Sequence, residues 1–345
     1  MFSLSIDQVQ SGMKLAKPVF NLTGTLLLDK ANVLDDRTIS ALRNAGAKRI
    51  WVTDEGSKFL KEQGPQKFFQ NIVTDLEAVR ERVILGRPID VKSVNEISEE
   101  LVEQIIVNEL PFAEMVRMKA SENSILEHMV DVAILSIIIG KALELEKLDM
   151  RYLCFGALVH DIGQLLVPKE ILNKTTPLTN SELKLIRKHP QFGYDMLKNV
   201  DGVNRHALKI TLQHHERLDG SGYPNGTKAK DIAHFSRIVA IADIYTAIIR
   251  EKGYRKRMQI HEAGELLWAQ AGIGLDRGLT SAFLSSVVAF PLRSTVKLNN
   301  GQVGRVIAQN GDFPVRPVIF VDGEMVDLAE NPTIFITEVI AYETD

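Results

Sequence analysis

The sequence contains only one cysteine, Cys154, among 345 residues. One thiol cannot form an internal disulfide, and its place in an apolar stretch predicts a small buried side chain in a reducing compartment. Prolines number only 12, while hydrophobic residues make up 45% of the composition. This balance excludes both a disordered chain and a disulfide-stabilised scaffold.

The sequence also has little net charge and no long hydrophobic run. A formal charge of -3 provides no broad basic surface for binding a DNA or RNA polymer. A small anionic ligand needs only a local positive site and is compatible with this composition. The most apolar segment, 132–139, is far shorter than the ~20 residues that span a bilayer, and the first residues lack a secretory pattern. We therefore expect a cytoplasmic protein without a membrane span.

The hydrophobic pattern changes along the chain, which predicts several structural units. Residues 1–57 combine short strand-like runs with one helix, and residues 58–110 resemble a charged helical connector. Apolar residues recur every three or four positions over 111–290, which predicts a helical bundle. Residues 291–345 return to short strands around Asn-Gly and Asp-Gly turns. The predicted fold class is mainly α, a helical bundle flanked by a small N-terminal α+β unit and a small C-terminal β unit.

Five of the eight histidines lie in the predicted bundle where helices can turn them toward one place. His128 shares a helical face with aliphatic residues, where a lone histidine is more often a satisfied core residue than a ligand. His160 and Asp161 close the next helix, although an isolated pair of this kind is usually only a solvated helix end. His189 is predicted near the end of a helical segment that Pro190 terminates.

The remaining candidates follow in the same domain. His214 and His215 close another apolar helix. Asp243 interrupts the apolar run 238–249, where an ionised carboxylate is costly unless it is paired or bound to a metal. Each residue alone could have an ordinary structural role, but coincidence is a poor explanation for five imidazoles and two carboxylates on successive helices of one domain.

These residue types indicate metal chemistry. Imidazole and carboxylate ligands together suit Fe, Mn, Zn, Ni or Co, and the near absence of thiols argues against a structural zinc site of the cysteine type. Seven ligands exceed one tetrahedral shell, so two divalent transition-metal ions are the economical prediction. Paired ions about 3.5 to 4 Å apart bind the attacking and leaving oxygens in phosphodiester hydrolysis. The residues therefore predict a metal-dependent phosphodiesterase.

Three segments resemble the HD-GYP domain, a branch of the HD phosphohydrolase superfamily: HDIGQ from His160, the single His189, and HHERLDGSGYP from His214 to Pro224. The resemblance covers about residues 115–275, and the eleven-residue HHE…GYP stretch is its most specific part. It implies a helical bundle of HD-domain type with a bi- or trinuclear centre, often of iron or manganese. It also implies hydrolysis of cyclic di-GMP to pGpG or GMP, with some relatives acting on cyclic GMP-AMP.

The resemblance also implies a role for each matching residue. Asp161 would bridge both ions and take part in catalysis. Tyr223 would pack on or hydrogen-bond the nucleotide, in a loop whose tight path Gly220 and Gly222 permit. The metal ligands would be His128, His160, Asp161, His189, His214, His215 and Asp243.

The sequence departs from the family pattern in four places. Gln164 stands where the family has a lysine that donates to the substrate phosphate. The loss of one such donor typically lowers the rate by ~10² to 10³. We therefore expect slower hydrolysis rather than none. Thr246 replaces a second aspartate. Residues 252–254 replace an Arg-Pro-Tyr stretch, with Arg255 as the candidate substitute for substrate contact. Ser124 stands where trinuclear relatives have a glutamate, which favours two metals.

Three functions stay open at this point. The first is a cyclic di-GMP phosphodiesterase of bacterial signalling. The second is a degenerate receptor that binds a cyclic dinucleotide without hydrolysing it, an alternative motivated by Gln164 and Thr246. The third is a homodimerisation scaffold with relic residues, which the cost of keeping histidines and a carboxylate in apolar helices disfavours.

Overall fold

The structure, a computed structural model, describes residues 2–6, 9–20, 25–47, 49–53, 55–107, 113, 116, 124–250, 258–288, 290, 292–311 and 313–341. The chain divides into two units, Met1–Ile72 and Val73–Asp345. The predicted fold class is confirmed, since a helical bundle follows a small α+β unit and precedes a small β unit. The domain boundaries given above stay a prediction.

The first unit is a small α+β fold. Its elements are β1 (Phe2–Ser5), β2 (Val19–Phe20), β3 (Leu26–Leu28), α1 (Asp36–Asn44), β4 (Arg49–Val52) and the first part of α2 (Glu55–Ile84). Strand β1 pairs with β4 and β2 with β3, both antiparallel. Helix α1 begins where the Asp35 carboxylate accepts a hydrogen bond of 2.7 Å from the Thr38 backbone N–H, a typical N-terminal cap. Leu15, Leu34 and Val52 are fully buried in its core.

The second unit contains the helical bundle. Its helices are the last part of α2, then α3 (Val91–Val107), α4 (Ile125–Ala142), α5 (Lys147–Val159), α6 (Lys169–Leu172), α7 (Asn180–Ile186), α8 (His189–Leu197), α9 (Arg205–Gln213), α10 (His234–Ile248), α11 (Ile260–Gln270) and α12 (Arg277–Phe283). Short 3-10 turns at Ile162–Leu166 and Ala229–Asp231 and a π turn at Leu284–Val288 complete it. Within the described ranges, no helix has the length and apolar character needed to cross a lipid bilayer.

Helix α4 lies at the centre of the bundle. It packs against α3, α5 and α10, and its residues are buried from 128 to 140. A helix that is apolar on every side is stable only when neighbours cover every side. The surrounding helices therefore bring their own polar residues close to those of α4.

The prediction that Pro190 terminates the helical segment of His189 is wrong. Helix α7 ends at Ile186, and His189 is the first residue of α8, with Pro190 in the first turn. Proline is well tolerated there because the first backbone N–H groups of a helix have no partner within the helix. His189 thus stands at a helix N-terminus rather than at a C-terminus.

The C-terminal residues form a five-stranded antiparallel sheet. Its strands are β5 (Thr295–Leu298), β6 (Val303–Ala308), β7 (Val318–Val321), β8 (Glu324–Asp327) and β9 (Ile336–Ala341), in the order β8-β7-β6-β5-β9. Asp322 and Gly323 have φ values of 51° and 90° in the turn between β7 and β8, as a tight hairpin turn requires. The predicted hairpins are confirmed.

Candidate metal centre

Five helices bring the seven candidate ligand side chains together. Four of these helices contribute from their first or last turn, and only Asp243 comes from the middle of a helix. The positions are His128 in α4, His160 and Asp161 at the end of α5, His189 at the start of α8, His214 and His215 at the end of α9, and Asp243 in α10.

The ligand atoms form two groups, and within each group they lie within 4.8 Å of one another. The first group contains Asp161, His189, His214 and His215, and the second contains His128, His160 and Asp243. Two separate groups are what two ions would need. The other three histidines lie elsewhere: His206 packs on Tyr152 and Phe235, His261 on Phe335, and His234 begins α10.

The Asp161 carboxylate reaches both groups. Its Oδ1 atom is 3.0 Å from His189 Nε2 and 3.6 Å from His214 Nε2. Its Oδ2 atom is 3.4 Å from His160 Nε2 and 3.7 Å from His128 Nε2. Each carboxylate oxygen therefore faces a different group, which is the arrangement of a bridging ligand.

The helix backbone fixes the orientation of three of these rings. His160, His189 and His214 each donate Nδ1–H to the carbonyl oxygen of the third residue before them, at 2.7, 2.8 and 3.0 Å. Because Nδ1 carries the proton in this arrangement, the Nε2 atom of each neutral ring presents a lone pair. Metal-ligating histidines are oriented by hydrogen bonds of this kind.

Several inward-facing nitrogen and oxygen atoms of the cluster lie close together. His189 Nε2 lies 3.1 Å from His214 Nε2. Among the described residues, His160 Nε2 and Asp161 Oδ1 are buried without a hydrogen-bond partner. Nitrogen and oxygen ligands about 2.1 Å from one ion lie roughly 3.0 to 3.4 Å from one another, close to these separations. The residues therefore fit divalent cations.

Both carboxylates are poised to be ionised. Burial alone would raise the pKa of Asp161, but the neighbouring rings of His160 and His189 outweigh burial and hold it well below its usual value. Burial opposes ionisation of Asp243 in the same way, yet a hydrogen bond of 3.1 Å from His128 Nε2 and nearby imidazoles lower its pKa. Two negative charges are thus maintained in a buried place.

Two of the surrounding imidazoles, those of His214 and His215, favour the neutral form that binds metals. Burial lowers the pKa of His214 and holds that of His215 well below its usual value. Burial would also lower the pKa of His189, but the charge of Asp161 outweighs it and raises the pKa. A positive charge is therefore favoured between His189 and Asp161.

Two departures from the family pattern have visible structural roles. Thr246 Oγ1 donates to the carbonyl of Asp243 at 2.8 Å and lies 3.5 Å from His128 Nδ1, so it packs behind a ligand pair. Ser124 Oγ accepts the backbone N–H of Glu127 at 3.2 Å and caps α4. In the part of the chain that the structure describes, neither Ser124 nor Glu127 belongs to the two ligand groups.

Gly163 allows the turn after Asp161 to approach α8. A Cβ atom at Gly163 would lie 2.1 Å from the His189 carbonyl oxygen and 2.4 Å from the Gly193 nitrogen. Only glycine fits this contact, which places Asp161 beside His189. Gln164 follows, partly buried, and its backbone N–H donates to the Asp161 carbonyl at 2.9 Å.

The DGSGYP loop folds back onto the cluster. A Cβ atom at Gly222 would lie 2.5 Å from the His215 carbonyl oxygen, and Gly220 has a φ of +83°. The Tyr223 backbone N–H donates to that same carbonyl at 3.2 Å, and its ring centroid lies 4.6 Å from that of His215. Tyr223 is therefore held against the cluster. Arg255, the remaining predicted contact, lies outside the described residues.

Sequence reasoning gave no role to Glu216. Its buried carboxylate accepts the backbone N–H groups of Asn225 and Thr227 at 2.8 and 2.9 Å. These bonds fix the loop that carries Tyr223. A carboxylate directly before a glycine-rich turn, whose N–H groups need acceptors, was the available signal.

The sequence patterns also gave no role to a second buried acid, Asp131. It lies one turn after His128 on α4 and forms an ion pair with Arg250, just after α10; both side chains are fully buried. Like Asp243, it interrupts an apolar run. Here the chain itself supplies the cation.

Comparisons with known proteins agree with this geometry. Residues 100–279 match the family described as HD domain, and residues 295–345 match a KOW domain associated with HD domain. The cyclic di-GMP phosphodiesterase PA4108 of Pseudomonas aeruginosa is 32% identical over 237 residues, covering 69% of this chain and 57% of that protein. The cyclic di-GMP phosphodiesterase PdeB of Borreliella burgdorferi is 30% identical over 219 residues, covering 63% of this chain and 58% of that protein. The chain thus spans little more than half the length of these curated relatives.

A solved structure supports the fold. Bd1817, described as a HDG"Y"P protein from Bdellovibrio bacteriovorus, superposes with a TM-score of 0.54 and 18% identity. The match covers 81% of this chain and 97% of that chain. At this identity, the likeness concerns the architecture alone.

Proposed function

This chain belongs to the HD domain family, and from that premise we propose that it is a metal-dependent phosphodiesterase that hydrolyses cyclic di-GMP, to pGpG or GMP, in bacterial second-messenger signalling. The observation that carries the proposal is the placement of the Asp161 carboxylate between two groups of inward-facing imidazole nitrogens. The relatives from Pseudomonas and Borreliella, whose names state this activity, support the choice of substrate.

The charge of the site suits a phosphodiester. The seven side chains contribute two carboxylates, and with neutral imidazoles their charge is negative until cations bind. Two divalent ions, for which we propose iron or manganese, would supply a Lewis acid for the phosphoryl oxygen and an activated water as the nucleophile. The positive charge then in excess would attract an anionic substrate.

The residues of the chain would each do a defined part of the work. Asp161 would hold both ions at a fixed separation. His160, His189 and His214 keep their Nδ1 protons on helix carbonyls, so their Nε2 atoms stay available for ligation. We propose that Tyr223, packed on the His215 ring, contacts the nucleotide beside the scissile phosphate.

One observation favours a second candidate function, a receptor that binds the dinucleotide without turnover. Gln164 follows Asp161 by one short turn and brings an amide where a cation would stabilise charge on the phosphate. Hydrogen bonding by an amide is weaker than by a charged donor. Slow hydrolysis is nevertheless our first proposal, because the ligand set contains all seven donors.

A product assay tests the proposal. The chain is loaded with Mn(II) or, anaerobically, Fe(II), and cyclic di-GMP and its products are separated by chromatography. We expect a linear product that is absent with His160→Ala and retained with His234→Ala, a matched loss of an imidazole at the exposed start of α10. No product above the His160→Ala background with either metal would refute hydrolysis, and binding without product would favour the receptor.

A further inference from the structure

The cluster is open to solvent on one side. His215 is the most exposed of the seven ligand side chains, at 17%, whereas Asp243 is 9% exposed and His128 and Asp161 are 5% exposed. His160, His189 and His214 are exposed by 1% or less. Among the described residues, the side of His215 is therefore the most exposed face of the two ligand groups, and a substrate would approach from there.

Two side chains line this approach. The Tyr223 ring packs on His215, with ring centroids 4.6 Å apart. The Arg187 guanidinium lies over the Tyr223 ring, with its Cζ atom 5.4 Å from the ring centroid, within the range of a cation–π contact. Arg187 belongs to the connection between α7 and α8, two residues before His189, so the same short segment places a ligand and this cation.

The Arg187 guanidinium contacts the Tyr223 ring, but it has no ion pair within the described residues. Lys174 and Lys198, which lie before and after it in the sequence, each form an ion pair of 2.7 Å, with Glu182 and Asp195. Arg187 is exposed, and no carboxylate of the described residues lies within 4.0 Å of its guanidinium. Within the described residues, Arg187 contacts the cluster through the Tyr223 ring and not through a hydrogen bond to any of the seven candidate ligand side chains.

We propose that Arg187 binds the phosphate of the cyclic dinucleotide that is not being hydrolysed, an inference that rests on the proposed function. A cyclic dinucleotide carries two phosphates, and hydrolysis at the ligand groups would involve only the scissile one. A planar guanidinium presents paired N–H donors that match phosphate oxygens. Gln164 brings no positive charge beside Asp161. Arg187 would bring a positive charge at the approach to the site.

Paired kinetics test this assignment. The unaltered chain, Arg187→Ala, Arg187→Lys and the adjacent exposed control Lys188→Ala are loaded with Mn(II), and their metal content is measured. Each is assayed with cyclic di-GMP and with bis(p-nitrophenyl) phosphate, a diester with one phosphate. For Arg187→Ala we expect KM for cyclic di-GMP to rise about 10- to 100-fold, the value of a charged hydrogen bond. Its kcat, metal content and activity on the small diester should stay within about threefold, and Arg187→Lys should restore most of the loss.

The outcomes separate the two proposals. Turnover with an unchanged KM in Arg187→Ala, or equal losses on both substrates, would overturn the role of Arg187 and leave the phosphodiesterase intact. If the unaltered chain binds cyclic di-GMP in calorimetry without turnover, and Arg187→Ala alone binds it more weakly, Arg187 is supported while hydrolysis is refuted. Absence of both binding and turnover in the unaltered chain would overturn both.

Discussion

Two of the buried polar contacts that α4 makes with α10 and the residues just after it differ in one respect. In the first, His128 of α4 meets Asp243 of α10 at 3.1 Å, beside the other ligand residues. In the second, Asp131 of α4 pairs with Arg250 beyond the end of α10. Both carboxylates are buried, but only Asp131 has a permanent cation from the chain.

This difference separates a structural site from a functional one. A buried carboxylate needs a compensating charge, since its desolvation is costly. Arg250 meets that need for Asp131 and cannot be exchanged. Asp161 and Asp243 face imidazole rings instead, and an exchangeable ion would complete their environment. The comparison predicts that the first contact responds to metal and the second does not.

The largest effect is expected from Asp161→Asn. This change keeps the shape of the side chain and removes the charge between the two ligand groups. We expect cyclic di-GMP hydrolysis to fall by about 10³-fold or more and bound metal to fall below two ions per chain. Turnover and elemental analysis on the same sample measure both. Full metal content with normal turnover would show that Asp161 does not bridge the ions.

Breaking the second contact should affect stability instead. Asp131→Asn leaves Arg250 buried without its carboxylate, so the free energy of unfolding should fall by about 3 to 5 kcal/mol in chemical denaturation. Replacing both residues, Asp131→Leu with Arg250→Met, should restore the original value or exceed it by about 1 to 4 kcal/mol. A small loss in the single variant would mean that the pair is not desolvated as described.

Removing the metal should have an intermediate effect on stability. The reference is protein with the free ion at 100 times its Kd. Removing that ion with a chelator should lower the free energy of unfolding by about 2.7 kcal/mol. The matched control is Asp161→Asn, in which the chelator should lower the free energy of unfolding by less, because fewer ions are bound. An equal response in both proteins would place the bound ion outside the cluster.

The smallest effect concerns Gln164. A lysine there adds a charged donor beside Asp161, so Gln164→Lys should raise kcat about tenfold. The increase is smaller than the rate effect of a complete transition-state donor, because glutamine can already donate a hydrogen bond. Initial rates at saturating substrate, with metal content held equal, measure the change. An unchanged kcat would show that Gln164 does not limit the reaction.

Much of the fold followed from patterns within single elements. Alternating runs around Asn-Gly and Asp-Gly predicted the C-terminal hairpins, and three- and four-residue spacing predicted the helices. The start of α8 was misplaced because proline marks both a helix end and a helix beginning. That choice depends on the close approach of Gly163 to the His189 carbonyl and the Gly193 nitrogen of α8, which is not apparent locally.

The candidate site was predictable only where residue type alone is informative. Histidines and Asp243 in apolar helices pointed to the cluster, whereas Asp131 has the same sequence signature and a different partner. The role of Glu216 had a local signal, a carboxylate directly before a glycine-rich turn, since its partners Asn225 and Thr227 follow within that loop. Arg187 contacts the ring of Tyr223, which is distant in the sequence. A contact of this kind arises from tertiary structure, which spacing does not encode.

The most direct test of two ions sharing Asp161 is anomalous X-ray diffraction from crystals of the Mn(II)-loaded chain. We predict two peaks, one bounded by Asp161, His189, His214 and His215 and the other by Asp161, His128, His160 and Asp243. An anomalous map without peaks among these side chains, or with a single peak that does not contact Asp161, would contradict this account.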